Sequence, residues 1–208
     1  MKVVAINGSP RKGGNISQCL DVMAAEFARE GIEFEVLQPG PGVHPCMACY
    51  HCLDKGTLHC VQTDDMVNEI IDKCIEADGI ILASPVYHGG IAGGMKCVMD
   101  RVMLAAGCGE NQFHHKVGAA ICTLRRSGGM ETYQQLLGIM DAMEMVIVTS
   151  DYWGPSTGPT PVKCSRTSRA WRSWPNWPGI LPGPSRSLTR QRERSILPRR
   201  KRGPSQTL

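Results

Sequence analysis

The sequence predicts an α/β fold in which five parallel strands form a doubly wound sheet. Up to residue 153, short apolar runs alternate strictly with segments whose apolar residues return every three or four positions. Several of the runs are apolar almost throughout, as strands covered by helices on both faces must be. Alternation of this kind builds a parallel sheet and places ligands at the carboxyl ends of its strands.

The strands are expected at residues 3–6, 34–37, 79–84, 117–123 and 145–150. The first helix follows from Ile16, Leu20, Met23 and Phe27, the second from Met66, Ile70 and Cys74. The third carries Met95, Val98, Met99, Val102 and Met103, the fourth Tyr133, Leu136, Leu137 and Met140. Thr63-Asp64-Asp65 supplies a cap and first-turn carboxylates for the second helix. Methionines at helical spacing read as core.

A chain of 208 residues, 42% of them hydrophobic, has material for one domain with a sizeable core. The apolar run after Met1-Lys2 is too short for a secretory leader, and no run reaches the length of a membrane span. The expectation is a soluble, cytoplasmic protein. Thiols stay reduced in the cytosol, so a tight cysteine group there points to metal or redox chemistry rather than disulfides.

The charge is divided. Residues 1–153 hold 11 Lys and Arg against 18 Asp and Glu, whereas residues 154–208 hold 12 against one. That second part also carries nine of the 14 prolines and three of the four tryptophans, with no helical or strand period. One reading is a disordered nucleic-acid-binding tail built on the basic run at 197–202. The genetic code offers another.

Regrouping each codon's third base with the next two turns Trp174-Pro175 into alanine, Asn176-Trp177 into leucine and Trp177-Pro178 into alanine. Over 171–180 the regrouped frame allows an apolar helical period that the printed residues lack. The expectation is a frameshift close to residue 153 or 154, with 1–153 as the domain and 154–208 as an aberrant tail. On that reading the basic patch is discounted as a nucleic-acid site.

Three loops lie at the strand ends. The first, "GSPRKGGNIS" at 8–17, combines glycines, hydroxyl groups and two cations ahead of a helix, an arrangement suited to a phosphate. An ordinary Gly-rich turn is the alternative. The loop fits neither GxxxxGK[ST] nor GxGxxG, so a mononucleotide is favoured over ATP or a dinucleotide. The second, "SPVYHGGIAGGMK" at 84–96, offers an aromatic ring and open backbone amides, as a planar heterocycle requires. The third, "LRRSGGME" at 124–131, again sets glycines and cations before a helix.

Together, "GSPRKGGN", "SPVYHGGIAGGMKCVMDR" and "RRSGGME" resemble the flavodoxin-like NADPH-dependent FMN reductase family, and within it the iron-sulfur flavoproteins. The resemblance covers residues 1–153. It implies that Ser9, Arg11, Lys12, Asn15 and Ser17 hold the FMN phosphate. Pro85, Val86, Tyr87, His88 and Gly89, with Gly128 and Gly129, would lie along the isoalloxazine, and Tyr87, Arg125 and Arg126 would tune the flavin or its access. One departure is Ile16, where relatives often have threonine; Ser17 offers a hydroxyl one residue on.

The segment 44–62 holds Cys46, Cys49, Cys52 and Cys60 in the spacing CxxCxxC-x7-C. Four thiolates are the usual complement of a 4Fe-4S cluster, and the overlapping triplet favours iron-sulfur over structural zinc, which prefers two separated CxxC pairs. His44, His51 and His59 flank the group as alternative ligands. The spacing also looks like the compact cluster motif of the iron-sulfur flavoproteins. The resemblance thus implies an electron-transfer oxidoreductase using FMN and a 4Fe-4S cluster, fed by NADPH or a small redox partner, assembled as a dimer or tetramer. A cluster-free NAD(P)H-dependent flavin or quinone reductase, its cysteines structural or zinc-binding, is the alternative. No side-chain acid or base is singled out as catalytic.

Overall fold

In the computed structural model the described residues are 1–149 and the backbone of 155–157. The remainder of the 154–208 segment, with the frameshift expected there, lies outside them. Five strand positions make a parallel sheet: β1 (Lys2–Asn7), β2 (Glu33–Leu37), β3 (Gly79–Tyr87), β5 (Val117–Leu124) and an edge formed by β6 (Val146–Ile147) and β7 (Pro155–Thr157). The order is β2-β1-β3-β5-β6, with β7 also paired to β5 and a short β4 (Gly90–Ile91) antiparallel to β3. The chain enters at β1, steps out to β2, then crosses back to β3 on the other side. That reversal opens a crevice at the carboxyl ends of β1 and β3.

The helices are α1 (Asn15–Arg29), α2 (His51–Lys55), α3 (Val67–Glu76), α4 (Gly93–Val102) and α5 (Gly129–Ala142). Side chains alternate across the sheet, so each strand serves two layers. Val4, Ile6, Ile80, Leu82, Ala120 and Cys122 form one core with Ile70 and Cys74 of α3, Met95 and Met99 of α4, and Leu136 and Met140 of α5. Val3, Ala5, Ile81 and Ala83, equally buried, point the other way. There α1 contributes Ile16, Leu20, Met23 and Phe27.

Three elements differ from expectation. The fifth strand begins at Val146 because Met145 still closes α5, its amide donating to Met140 O at 3.1 Å beyond a left-handed Glu144 (φ 55°). The Val148 amide still reaches Gly118 O at 2.8 Å, and pairing with β5 resumes at Pro155. β3 runs past Ser84 to Tyr87, because Pro85 stays in register with Thr123 and Val86 turns back onto Ile91. Finally, α4 widens into a π-helical turn at Met103–Gly107, marked by a Cys108 N–H to Met103 O bond of 3.1 Å.

Candidate functional site

The loop after β1 is organised by the buried Asn7. Its Oδ1 accepts from the Ser9 amide at 3.0 Å, and its Nδ2 donates to Ser17 Oγ at 3.2 Å. Ser9, itself buried, accepts from the Arg11 amide at 3.2 Å. From the end of β2, Gln38 Nε2 clasps the loop by donating to Ser9 O at 2.7 Å and Arg11 O at 3.0 Å. α1 then starts at Gly14 with no side-chain cap and no acid in its first turn. Its first amides and the positive end of its dipole therefore face the loop mouth, where Arg11, Lys12 and Asn15 are exposed. Ser17 keeps its own hydroxyl proton for a ligand. The loop mouth thus gathers uncapped amides, hydroxyl groups and two cations in one place.

β3 and β4 form a hairpin whose two turn residues, His88 (φ 48°) and Gly89 (φ 79°), both take positive φ, as a type I′ turn requires. Its base is fixed by Ser84 Oγ, which accepts from the Ala92 amide at 3.0 Å and donates to Pro85 O at 2.9 Å. Its tip meets the loop after β5: a Cβ on Gly128 would lie 2.7 Å from Gly89 Cα and 3.0 Å from a Val86 methyl. Gly129 is buried beneath, its carbonyl accepting from the Cys122 thiol at 3.3 Å. Tyr87 stands 42% exposed on the outer wall, and Arg125 and Arg126 are exposed nearby in the chain. The structure thus brings Pro85–Gly89 and Gly128–Gly129 together at the same strand ends as the loop after β1.

The cysteine loop packs through α2 against the π turn. α2 is five residues long and is bracketed by left-handed Tyr50 (φ 56°) and Gly56 (φ 59°). This curl turns Cys52 inward, where burial pushes its thiol above the ordinary value. Cys46, Cys49, Cys52 and Cys60 are free thiols that line one shallow open recess, rimmed by Met47, Val61 and Leu104. The flanking histidines turn elsewhere: His44 lies 3.3 Å from Asp64 and His59 2.7 Å from Asp72, and neither they nor His51 line the recess. Among the described residues no three His, Cys, Asp or Glu side chains close on a point that would hold a single metal ion. The four cysteines share the lining of one recess.

Two residues of the surrounding helices fix the fourth cysteine. Asn68 of α3 grips its backbone, accepting from the Cys60 amide at 2.8 Å and donating to its carbonyl at 2.9 Å. Arg101 of α4, 1% exposed, donates from Nε to Cys60 Sγ at 3.2 Å. Arg101 also pairs with Asp65, whose carboxylate accepts from the Val67 amide, the first of α3, at 3.1 Å. Burial pushes the Asp65 carboxyl up, but the Arg101 bond and the Val67 amide outweigh it and hold it below the usual carboxylate range.

The sequence matches NADPH-dependent FMN reductase over residues 1–159. The chain belongs to that family. It is an FMN-dependent oxidoreductase with a flavodoxin-like fold. An iron-sulfur flavoprotein of Methanocaldococcus jannaschii is 39% identical over 173 residues, covering 79% of this chain and 86% of that protein. One of Methanosarcina thermophila is 40% identical over 154 residues, covering 71% and 77%. A solved archaeal flavodoxin superposes with a TM-score of 0.56 at 18% identity, covering 82% of this chain and 93% of its own. The structure of RosB with a bound flavin intermediate gives a TM-score of 0.62 at 15% identity, covering 100% and 92%.

Within this FMN reductase fold, four polar residues escape a reading of the sequence. Asn7 and Gln38 hold the loop after β1, Asn68 and Arg101 the cysteine recess. Arg101 alone left a signal: it stands three residues from Val98 inside an apolar helical period, where a charge needs a buried partner. The other three stand at element ends or on a mixed helix face, where polar residues are ordinary.

Proposed function

We propose that the chain is an electron-transfer flavoprotein that holds FMN across the strand-end loops and a 4Fe-4S cluster on Cys46, Cys49, Cys52 and Cys60. The observation that carries the reading is the four free thiols of one loop lining one recess, with the fourth fixed by Asn68 and Arg101. Four cysteines on one recess match the ligand count of a polynuclear cluster, and their overlapping CxxCxxC spacing favours it over one tetrahedral zinc ion. Bound there, FMN exchanges electrons in pairs or singly and a cysteine-held cluster exchanges them singly, which is the chemistry that pairs the two.

The chain's own residues bind and orient. The α1 amides, Ser9, Ser17 and Asn15 hold the phosphate, with Arg11 and Lys12 adding charge at the mouth. Gly128, Gly129 and the 85–89 hairpin flank the ring system, and Tyr87, Arg125 and Arg126 control approach from solvent. NAD(P)H or a small redox protein supplies electrons to a homo-oligomer in the cytoplasm. No helix among the described residues is long and apolar enough to cross a membrane.

Anaerobic purification with metal and acid-labile sulfide analysis tests the reading. Flavin absorption with a broad brown shoulder, and iron and sulfide in step with protein, are expected. Zinc without iron, or a yellow protein whose flavin NADPH bleaches rapidly with no iron present, would replace it with the cluster-free reductase.

A further inference from the structure

We infer that Arg101 is a positioning residue for the cysteine recess, whose Nε–H···Sγ bond to Cys60 raises the reduction potential of the cluster bound there; this rests on the cluster reading above. A guanidinium has five N–H donors in a fixed plane, and the structure spends them on both ends of one loop. Nε donates to Cys60 Sγ at 3.2 Å, Nη2 to Gln62 O at 2.8 Å, and Nη1 to His44 O at 3.4 Å and to Asp65. The segment that supplies the ligands is therefore pinned ahead of Cys46 and behind Cys60 by one side chain reaching up from α4.

The location decides the electrical consequence. Arg101 is 1% exposed, so its field on the sulfur is little screened by water. Reduction adds one electron to a thiolate-bound centre and changes no covalent bond, so the reduced form carries one more negative charge. A cation that also donates a hydrogen bond to a ligand sulfur stabilises that extra charge, and hydrogen bonds to sulfur are among the determinants of cluster potential. Asp65 works in the opposite direction, because its carboxylate neutralises part of the guanidinium charge. The pair sets the potential by balance, with Arg101 raising it and Asp65 lowering it.

A merely structural pair would behave differently. It would lose stability on substitution of either member and leave the potential where it was. Two variants separate the cases, each purified anaerobically with FMN, iron and sulfide assayed, and titrated with dithionite against reference dyes. Arg101→Lys keeps a cation beside Asp65 but cannot span Cys60 and two carbonyls at once, so the equilibrium constant for cluster reduction should fall about tenfold. Asp65→Asn leaves the guanidinium uncompensated, so the same constant should rise. Variants that retain wild-type iron and sulfide with an unchanged constant overturn the inference, as does a shift of both in one direction. If Arg101→Lys loses its iron, Asp65→Asn decides alone, an unchanged or lower constant counting against. Wild-type protein without iron or sulfide sinks the cluster reading itself, a result distinct from any of these.

Discussion

Gly128 sits at φ +82°, a conformation that costs an L side chain strain, and a Cβ there would be driven into the Gly89 backbone at 2.7 Å. Neither neighbour is the free end of a flexible side chain, so the loop after β5 and the hairpin tip must part if a methyl is added. Gly128→Ala should therefore weaken FMN binding about tenfold or more, since 1.4 kcal/mol is a factor of ten and such strain costs of order 1–3 kcal/mol. Titration of the deflavinated protein with FMN, followed by flavin fluorescence, checks it. An affinity unchanged from wild type would remove Gly128 from the flavin site. A second residue-scale consequence concerns the buried thiols Cys74 and Cys122, which burial pushes up to about 12. In the unfolded chain a thiol ionises near its ordinary value of about 9; in the folded chain it keeps its proton to about 12. The folded pKa is the higher one, so the stabilising difference is complete below pH 9 and is lost as pH rises towards 12. Denaturant unfolding at pH 8 to 11 should show stability falling with pH less steeply in the Cys74→Ala, Cys122→Ala double variant than in wild type. Equal slopes would show that these thiols do not link folding to alkaline pH.

At the scale of elements, the loop we propose holds the FMN phosphate is built from pieces that meet only in space. β1 contributes Asn7, α1 its uncapped amides, and the end of β2 contributes Gln38, whose amide bonds two carbonyls of the loop. Each such bond is worth roughly 0.5–1.5 kcal/mol net. Gln38→Ala should accordingly raise the FMN dissociation constant about tenfold and lower the melting temperature of the deflavinated protein by only a few degrees. Isothermal titration and thermal melts check both halves, and a large loss of stability without FMN would mean that the clasp holds the fold rather than the ligand. The helices α1, α3, α4 and α5 were readable because each spans at least ten residues with an apolar stripe. The five-residue α2 was not, since so short a helix shows no period and its ends depend on left-handed Tyr50 and Gly56. The π turn was equally hidden, because Leu104, Ala105 and Ala106 read as a continuation of α4. Yet these two elements shape the recess, the one turning Cys52 inward and the other setting Leu104 at its rim.

For the whole molecule, the two faces of the sheet are covered unequally among the described elements. α3, α4 and α5 share one core, while α1 is the only described helix on the face of Val3, Ala5, Ile81 and Ala83. A doubly wound sheet of this order takes a further helix after its last strand, which falls in the 154–208 segment. The codon regrouping puts a shift of reading frame close to residue 153 or 154. Pro155–Thr157 still pair with β5, however, and the family match runs to residue 159, so we propose that the frame shifts just beyond these residues. The chain with the frame restored should then be more stable, by about 1.5–3 kcal/mol for each large side chain it buries. Sequencing the gene is the direct measurement: one continuous frame through this point, with the present tail retained, would end that proposal.

Local chemistry was enough for the strands, the long helices, the three loops and the cysteine spacing, because apolar period, glycine and thiol spacing are properties of neighbours along the chain. The family resemblance rested on the same stretches, and the match over 1–159 bears it out. Two partners of Cys60, by contrast, come from Asn68 and Arg101, eight and 41 residues away. Gln38 reaches back 29 residues to Ser9, and Gly128 meets Gly89 across two loops. Sequence order carries no record of such meetings, and only the packing of α3 and α4 beneath the cysteine loop decided which charge faces its sulfur.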